Sequence, residues 1–172
     1  MATTSSVQKK INLTSRQFLE KIVVNAGVGR LSQQPNFEEK VLPQVTRDLS
    51  AISGQAPEVR RARKSIAGFK MRQGQIVGLR ITLRGQKMVD FFTRFINIVL
   101  PRVRDFRGVD ALVIDEHGSL NVGLREQLVF PELNPEESTL IFPLGVTIVP
   151  KRGGREAAIH WYRENGFPLK KK

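Results

Sequence analysis

The period of the apolar positions changes several times along this chain, and each change predicts an element. Phe18 to Asn25, FLEKIVVN, is rich in β-branched residues and is bounded by Ala26-Gly27-Val28-Gly29, which predicts a strand entering a glycine turn. Val41, Leu42, Val45, Leu49 and Ile52 then recur at helical spacing. Asn36 with Glu39 three residues on resembles a capping box, Gly54 is a natural stop, and Pro43 either kinks this helix or marks its first turn. Ala56 to Arg61 reads as a short strand. In residues 76–84 Leu79, Ile81 and Leu83 fall on one face and Arg80, Thr82 and Arg84 on the other, a strand with one apolar and one cationic side. Gly85 opens a second helix, striped by Met88, Phe92, Phe95 and Val99 and stopped by Pro101. Leu112–Ile114 and Leu120–Gly123 read as strands joined by the turn Asp115–Gly118, Leu144–Val149 as a last strand, and Gly154–Asn165 as a closing helix. Helices and strands mixed without regular β-α-β alternation predict an α+β fold. It is one domain over residues 18–172, with a mostly antiparallel sheet, helices packed on one face and a long basic loop at about 61–75, after a flexible tail at 1–17.

Charge sharpens this picture. The 172 residues carry a net charge of +12, and its distribution is uneven: residues 1–58 net +2, residues 59–109 net +11 and residues 110–172 net −1. No Asp or Glu occurs from Val59 to Val89. Apolar residues such as Ile66, Phe69, Met71 and Val77 interrupt the run, so it belongs to a folded domain, and its partner is a polyanion. A lipid surface would need an amphipathic helix, which Arg60 to Gly74 does not form, so nucleic acid is favoured and no membrane partner is expected.

Catalytic chemistry finds little footing. With no cysteine there is no disulfide framework, thiolate metal site or cysteine nucleophile. The two histidines, His117 and His160, cannot make a multi-histidine site; His160 beside Trp161 and Tyr162 reads as packing on the core surface. Gly27-Val-Gly29 is only a fragment of a dinucleotide fingerprint, with Ser at position 32. Asp105, between Arg104 and Arg107, reads as an orienter of a guanidinium. The rival reading is a metal-dependent RNA-processing enzyme using Asp105, Asp115 and Glu116. No cofactor is expected. The acid-poor residues 1–10 lack a secretory apolar stretch, which points to an intracellular address, with an organellar transit segment as the alternative.

Three blocks, Ala67-Gly-Phe-Lys-Met-Arg-Gln-Gly74, Arg102-Val-Arg-Asp-Phe-Arg-Gly108 and Gly123-Leu-Arg-Glu-Gln-Leu-Val-Phe-Pro-Glu132, resemble the signatures of the large-subunit ribosomal protein five family. Asn25–Gly29, Ala51–Pro57, Arg63–Ser65, Thr82–Gly85 and Gly166-Phe-Pro-Leu-Lys agree in order, so the resemblance spans about residues 18–172. It implies a structural, non-enzymatic ribosomal protein, cytoplasmic or in an organellar ribosome, that anchors 5S rRNA in the central protuberance. It also implies a basic loop facing P-site tRNA and a small-subunit head protein, with 23S-type rRNA and neighbouring large-subunit proteins as further partners. The 5S-facing positions implied are Asn25, Gln55, Phe69 and Thr82, joined by the cationic strand residues Arg80 and Arg84. Amides and a hydroxyl suit a 2′-hydroxyl or base edge, and Phe69 suits a stacked base. The tRNA-facing loop corresponds to Arg61, Arg63, Lys64, Ser65, Lys70, Arg72 and Gln73, an adaptable, acid-free segment whose cations meet phosphates without reading sequence. Two departures stand out: the family's longer helical start is shortened to about seventeen residues before Phe18, and its Asp-Gly-x-Gly-Asn-like turn is Asp115-Glu-His-Gly-Ser-Leu-Asn121.

Overall fold

A computed structural model of the chain describes residues 15–33, 35–151 and 153–170. Most of the expected tail, residues 1–14, lies outside these, and 15–18 are helical. Five strands, β1 (Leu19–Gly27), β2 (Glu58–Arg61), β3 (Ile76–Leu83), β4 (Leu120–Leu124) and β5 (Leu144–Pro150), form an antiparallel sheet of order β2-β3-β1-β5-β4. After the helical residues 15–18, the described helices of regular α form are α1 (Leu42–Ser53), α2 (Gly85–Arg94), α3 (Leu100–Arg102) and α4 (Arg155–Glu164). The α+β expectation holds. Alternation drives burial: Ile22, Val24 and Ala26 of β1, Leu79, Ile81 and Leu83 of β3, Leu120, Val122 and Leu124 of β4, and Leu144, Val146 and Ile148 of β5 are all buried. Their neighbours on the other side of each strand stay partly or fully exposed.

Two compact units can be distinguished. One comprises residues up to Val23, Thr82–Val122 and Val146 onward. Here α2 buries Met88, Val89, Phe91 and Phe92. The helix then widens into a π turn at Phe95–Val99 before α3. Pro101 therefore does not stop the helix. It sits in the first turn of α3, where no donor is required of it, and the chain turns extended only at Val103. In α4, Trp161 stacks on Phe18 with centroids 4.3 Å apart, and the Tyr162 hydroxyl donates to the Gly118 carbonyl at 3.2 Å. Residues 111–113 form a 3-10 turn rather than a strand, because the Asp110 carboxylate accepts from Leu112 N at 2.9 Å and curls the backbone; only Ile114 bridges to Leu120.

The second unit comprises Val24–Ile81 and Gly123–Gly145. Strand β1 runs through Ala26 to Gly27, two residues beyond the expected turn. Helix α1 buries Val45, Leu49 and Ile52. The expected capping box is not formed: Asn36 is left-handed at φ 61°, makes no side-chain cap, and leads into a π turn at Phe37–Val41. Pro43 falls in the first turn of α1, and Gly54, at φ 66°, closes it with its N–H on the Ser50 carbonyl at 2.8 Å. The loop between β4 and β5 is pinned by Gln127, which is fully buried. Its amide nitrogen donates to the Leu140 carbonyl and its oxygen accepts from Phe142 N at 3.0 Å. Asp48, at 4% exposure, accepts from the Ser138 hydroxyl at 3.0 Å, and burial raises its carboxyl above the ordinary value despite the bonds from Ser138 and Gln127.

Candidate nucleic-acid interface

The register of β2 on β3 sets Glu58 opposite Arg80 and Arg60 opposite Gly78. Period-two alternation then puts Glu58, Arg60 and Arg80 on the open side of the sheet. The Glu58 carboxylate accepts from Arg80 Nη2 at 2.9 Å and from Arg60 Nη1 at 2.6 Å. These two bonds, Arg80's first, hold its pKa below the ordinary carboxylate value. The cationic face is thus a braced cluster with one anion in it. Sequence reasoning misses Glu58 because it lies just before the acid-free run; its signal is the position directly across the hairpin from Arg80.

Small residues open this side to close approach. A Cβ on Gly78 would stand 2.9 Å from the Ala26 carbonyl oxygen, so the position admits no side chain without a backbone shift. On β5, a Cβ at Gly145 would overlap the Asn25 side-chain oxygen, which shows that the exposed Asn25 amide lies across the bare backbone of Gly145. Asn25 is a mid-strand residue and caps no turn. Gln55 follows the Gly54 stop with its backbone N–H on the Ser53 hydroxyl at 3.2 Å and its side chain exposed.

Residues 62–75 are not a structureless loop. They extend the β2–β3 hairpin through Ala62 N to the Gln75 carbonyl at 2.8 Å and through the antiparallel Ile66–Met71 bridge, with a 3-10 turn at Ala67–Phe69 and a left-handed Lys70 at the tip. Ile66 and Met71 face each other across this bridge, an apolar cross-strand pair on a ribbon rich in cations. Some residues expected to meet a ligand brace this hairpin: Arg61 Nη1 donates to the Gly74 carbonyl at 3.1 Å, and the Ser65 hydroxyl accepts from Gln73 N at 2.9 Å. Arg63, Lys64, Lys70 and Arg72 are exposed. Phe69 is 75% exposed at the tip, so it is no core anchor.

Thr82 and Arg84 belong to the first unit. Thr82 is half-buried on β3 and alternates with Arg80 onto the same side of that strand. Arg84 is exposed at the N-cap of α2, makes no side-chain cap, and places a cation at the positive end of the helix dipole. Helix stability does not explain that choice of residue.

The catalytic rivals do not assemble. Asp115 is consumed in its turn, accepting from Ser119 N at 2.7 Å, and among the described residues no three acids or histidines are grouped to hold a metal ion. His160 is exposed and 3.4 Å from Glu164 instead of packing on the core. Asp105 orients no guanidinium among the described residues; it is exposed in a left-handed turn at φ 53°.

Two family models cover nearly the whole chain: Ribosomal protein L5 over residues 15–72, and the C-terminus of the same ribosomal family over residues 76–169. The chain belongs to the ribosomal L5 family. It is 47% identical over 152 residues to large ribosomal subunit protein uL5 of Rubrobacter xylanophilus, covering 88% of this chain and 82% of that one. It is 45% identical over 152 residues to the Syntrophomonas wolfei protein of the same name, covering 88% and 83%. To that of Chlorobaculum tepidum it is 42% identical over 154 residues, covering 90% and 82%. As an L5 family member the chain is a structural constituent of the large ribosomal subunit, not an enzyme, and no described helix is long and apolar enough to cross a membrane.

Proposed function

We propose that this L5 family member binds 5S rRNA through Asn25, Gln55, Phe69, Arg80, Thr82 and Arg84 and anchors it in the central protuberance. The hairpin presents Arg63, Lys64, Lys70 and Arg72 to P-site tRNA and to the small-subunit head. One observation carries the reading. In the second unit the open side of the sheet carries a braced cation, Arg80, and an amide, Asn25, laid over a bare glycine, so a ribose-phosphate backbone can approach closely and still find donors and acceptors; Thr82, two residues on from Arg80 along β3, adds a hydroxyl. The exposed ring of Phe69 supports stacking on an unpaired base.

Filter binding of labelled 5S rRNA to the full chain tests this division. Asn25→Ala and Thr82→Ala should weaken binding with little change in its salt dependence, while Arg63→Ala with Lys64→Ala should mostly spare isolated 5S rRNA. Loss of the 5S complex in the hairpin variant, with the sheet variants intact, would reverse the assignment.

A further inference from the structure

The sheet and hairpin do not use all the cations of the central third. Arg102, Arg104 and Arg107 stand in the first unit, all exposed, and among the described residues none is held by an ion pair or hydrogen bond. Arginines on an ordinary solvated surface usually sit near acids that neutralise them; the acid within this segment, Asp105, pairs with none of the three, and Asp110 and Glu156 line a cavity with Lys170 instead.

We propose that these three arginines, with Lys170, form a second phosphate-binding site for ribosomal RNA. The fold builds it in two ways. First, the segment is fastened at both ends. It leaves α3 at Arg102 and is caught at Val109, whose N–H donates to the Pro168 carbonyl at 2.8 Å and whose carbonyl accepts from Lys170 N at 2.9 Å. Second, the arc turns through two left-handed residues, Asp105 at φ 53° and Gly108 at φ 87°. Gly108 lies so close to the chain end that a Cβ there would stand 3.1 Å from the Pro168 oxygen and 3.4 Å from Lys170 Cγ. A cation from the far end of the sequence is thus delivered beside the arginine segment, on backbone already ordered before a ligand arrives. An ordered backbone spares the segment part of the ordering cost of binding, and the planar forks of its guanidiniums suit phosphate oxygens. An acidic protein segment would meet the same charge, but a subunit constituent is surrounded by polyphosphate, which favours RNA.

This site does not depend on the sheet reading, and its test separates the two. The probe is RNA extracted from purified large subunits, bound by the full-length chain over a KCl series. Arg102→Ala, Arg104→Ala and Arg107→Ala together should flatten the log–log salt slope by about two to three, roughly one for each phosphate left without its arginine. The matched variant Lys40→Ala with Arg47→Ala, two exposed cations of the second unit, should leave it nearly unchanged, and Arg102→Lys, Arg104→Lys and Arg107→Lys together should keep it. Thermal melts check that each variant is folded. The chain has no native cysteine, so Arg102→Cys carrying a photoreactive maleimide reports the neighbour within the particle. A link to rRNA is expected. An unchanged slope in the arginine-to-alanine variant, an equal flattening in the matched variant, or a link to protein alone would overturn the site, whatever the Thr82 and Asn25 variants do to isolated 5S rRNA.

Discussion

Gly145→Ala is a substitution on one strand that should act through a side chain on another. The added methyl would occupy the space now held by the Asn25 oxygen. Asn25 is exposed and hinged at χ1, so the overlap is relieved by swinging the amide away rather than by moving backbone. The stability cost should therefore stay within about 0.5 kcal/mol, as for other surface changes. RNA affinity should fall by the worth of the one hydrogen bond that the displaced amide no longer makes, about 0.5–1.5 kcal/mol or roughly two- to twelvefold in Kd. Filter binding of 5S rRNA and urea unfolding measure the two quantities on one preparation. Because Gly145→Ala acts only by moving Asn25, the double variant with Asn25→Ala should bind no worse than Asn25→Ala alone. Full additivity of the two losses, or a large loss of stability with affinity intact, would refute the reasoning.

Three further outcomes follow from burial. Phe69→Ala should leave the unfolding free energy unchanged within about 0.5 kcal/mol but weaken binding of single-stranded or looped RNA by about 1–3 kcal/mol, since an exposed ring contributes by stacking; equal affinity would show that the ring meets no base. Gln127→Ala should destabilise by roughly 2–4 kcal/mol in urea unfolding, because it strands the Leu140 carbonyl and Phe142 N–H away from water and opens a void; a loss below about 1 kcal/mol would contradict the pinning of that loop. Asp48→Asn tests the buried carboxyl. Its pKa is raised in the folded state, so the folded chain binds that proton more tightly than the unfolded chain does. The contribution is therefore fully present below the unfolded value near 3.8 and is lost as pH rises through the folded one. The Asn variant should accordingly gain on the parent at pH 7, and the gain should shrink toward pH 4; a gain that grows on acidification would reverse the sign.

The elements were legible to the extent that they obey a short-range rule. Leu79, Ile81 and Leu83 alternate because a strand with one buried face must, and Gly54 ends α1 because it tolerates φ 66° without a Cβ penalty. Where local rules compete, short-range pattern misleads. The Asn36–Glu39 spacing fits a capping box, yet a π turn and Pro43 set the true start of α1, and Leu112 looked like strand until the Asp110 carboxylate curled it.

Composition and order by themselves determined the class of partner and the α+β pattern, since net charge and apolar period are sums over neighbouring residues. They also determined which side of β3 is cationic. Only the tertiary structure decided which cations are free to meet a ligand. Arg80 is braced by Glu58 from 22 positions away, Asn25 finds its space over Gly145, and Lys170 comes to lie beside Gly108. Each of those pairings depends on strand register and chain reversal, quantities set by how the whole core packs and written in no single stretch of sequence.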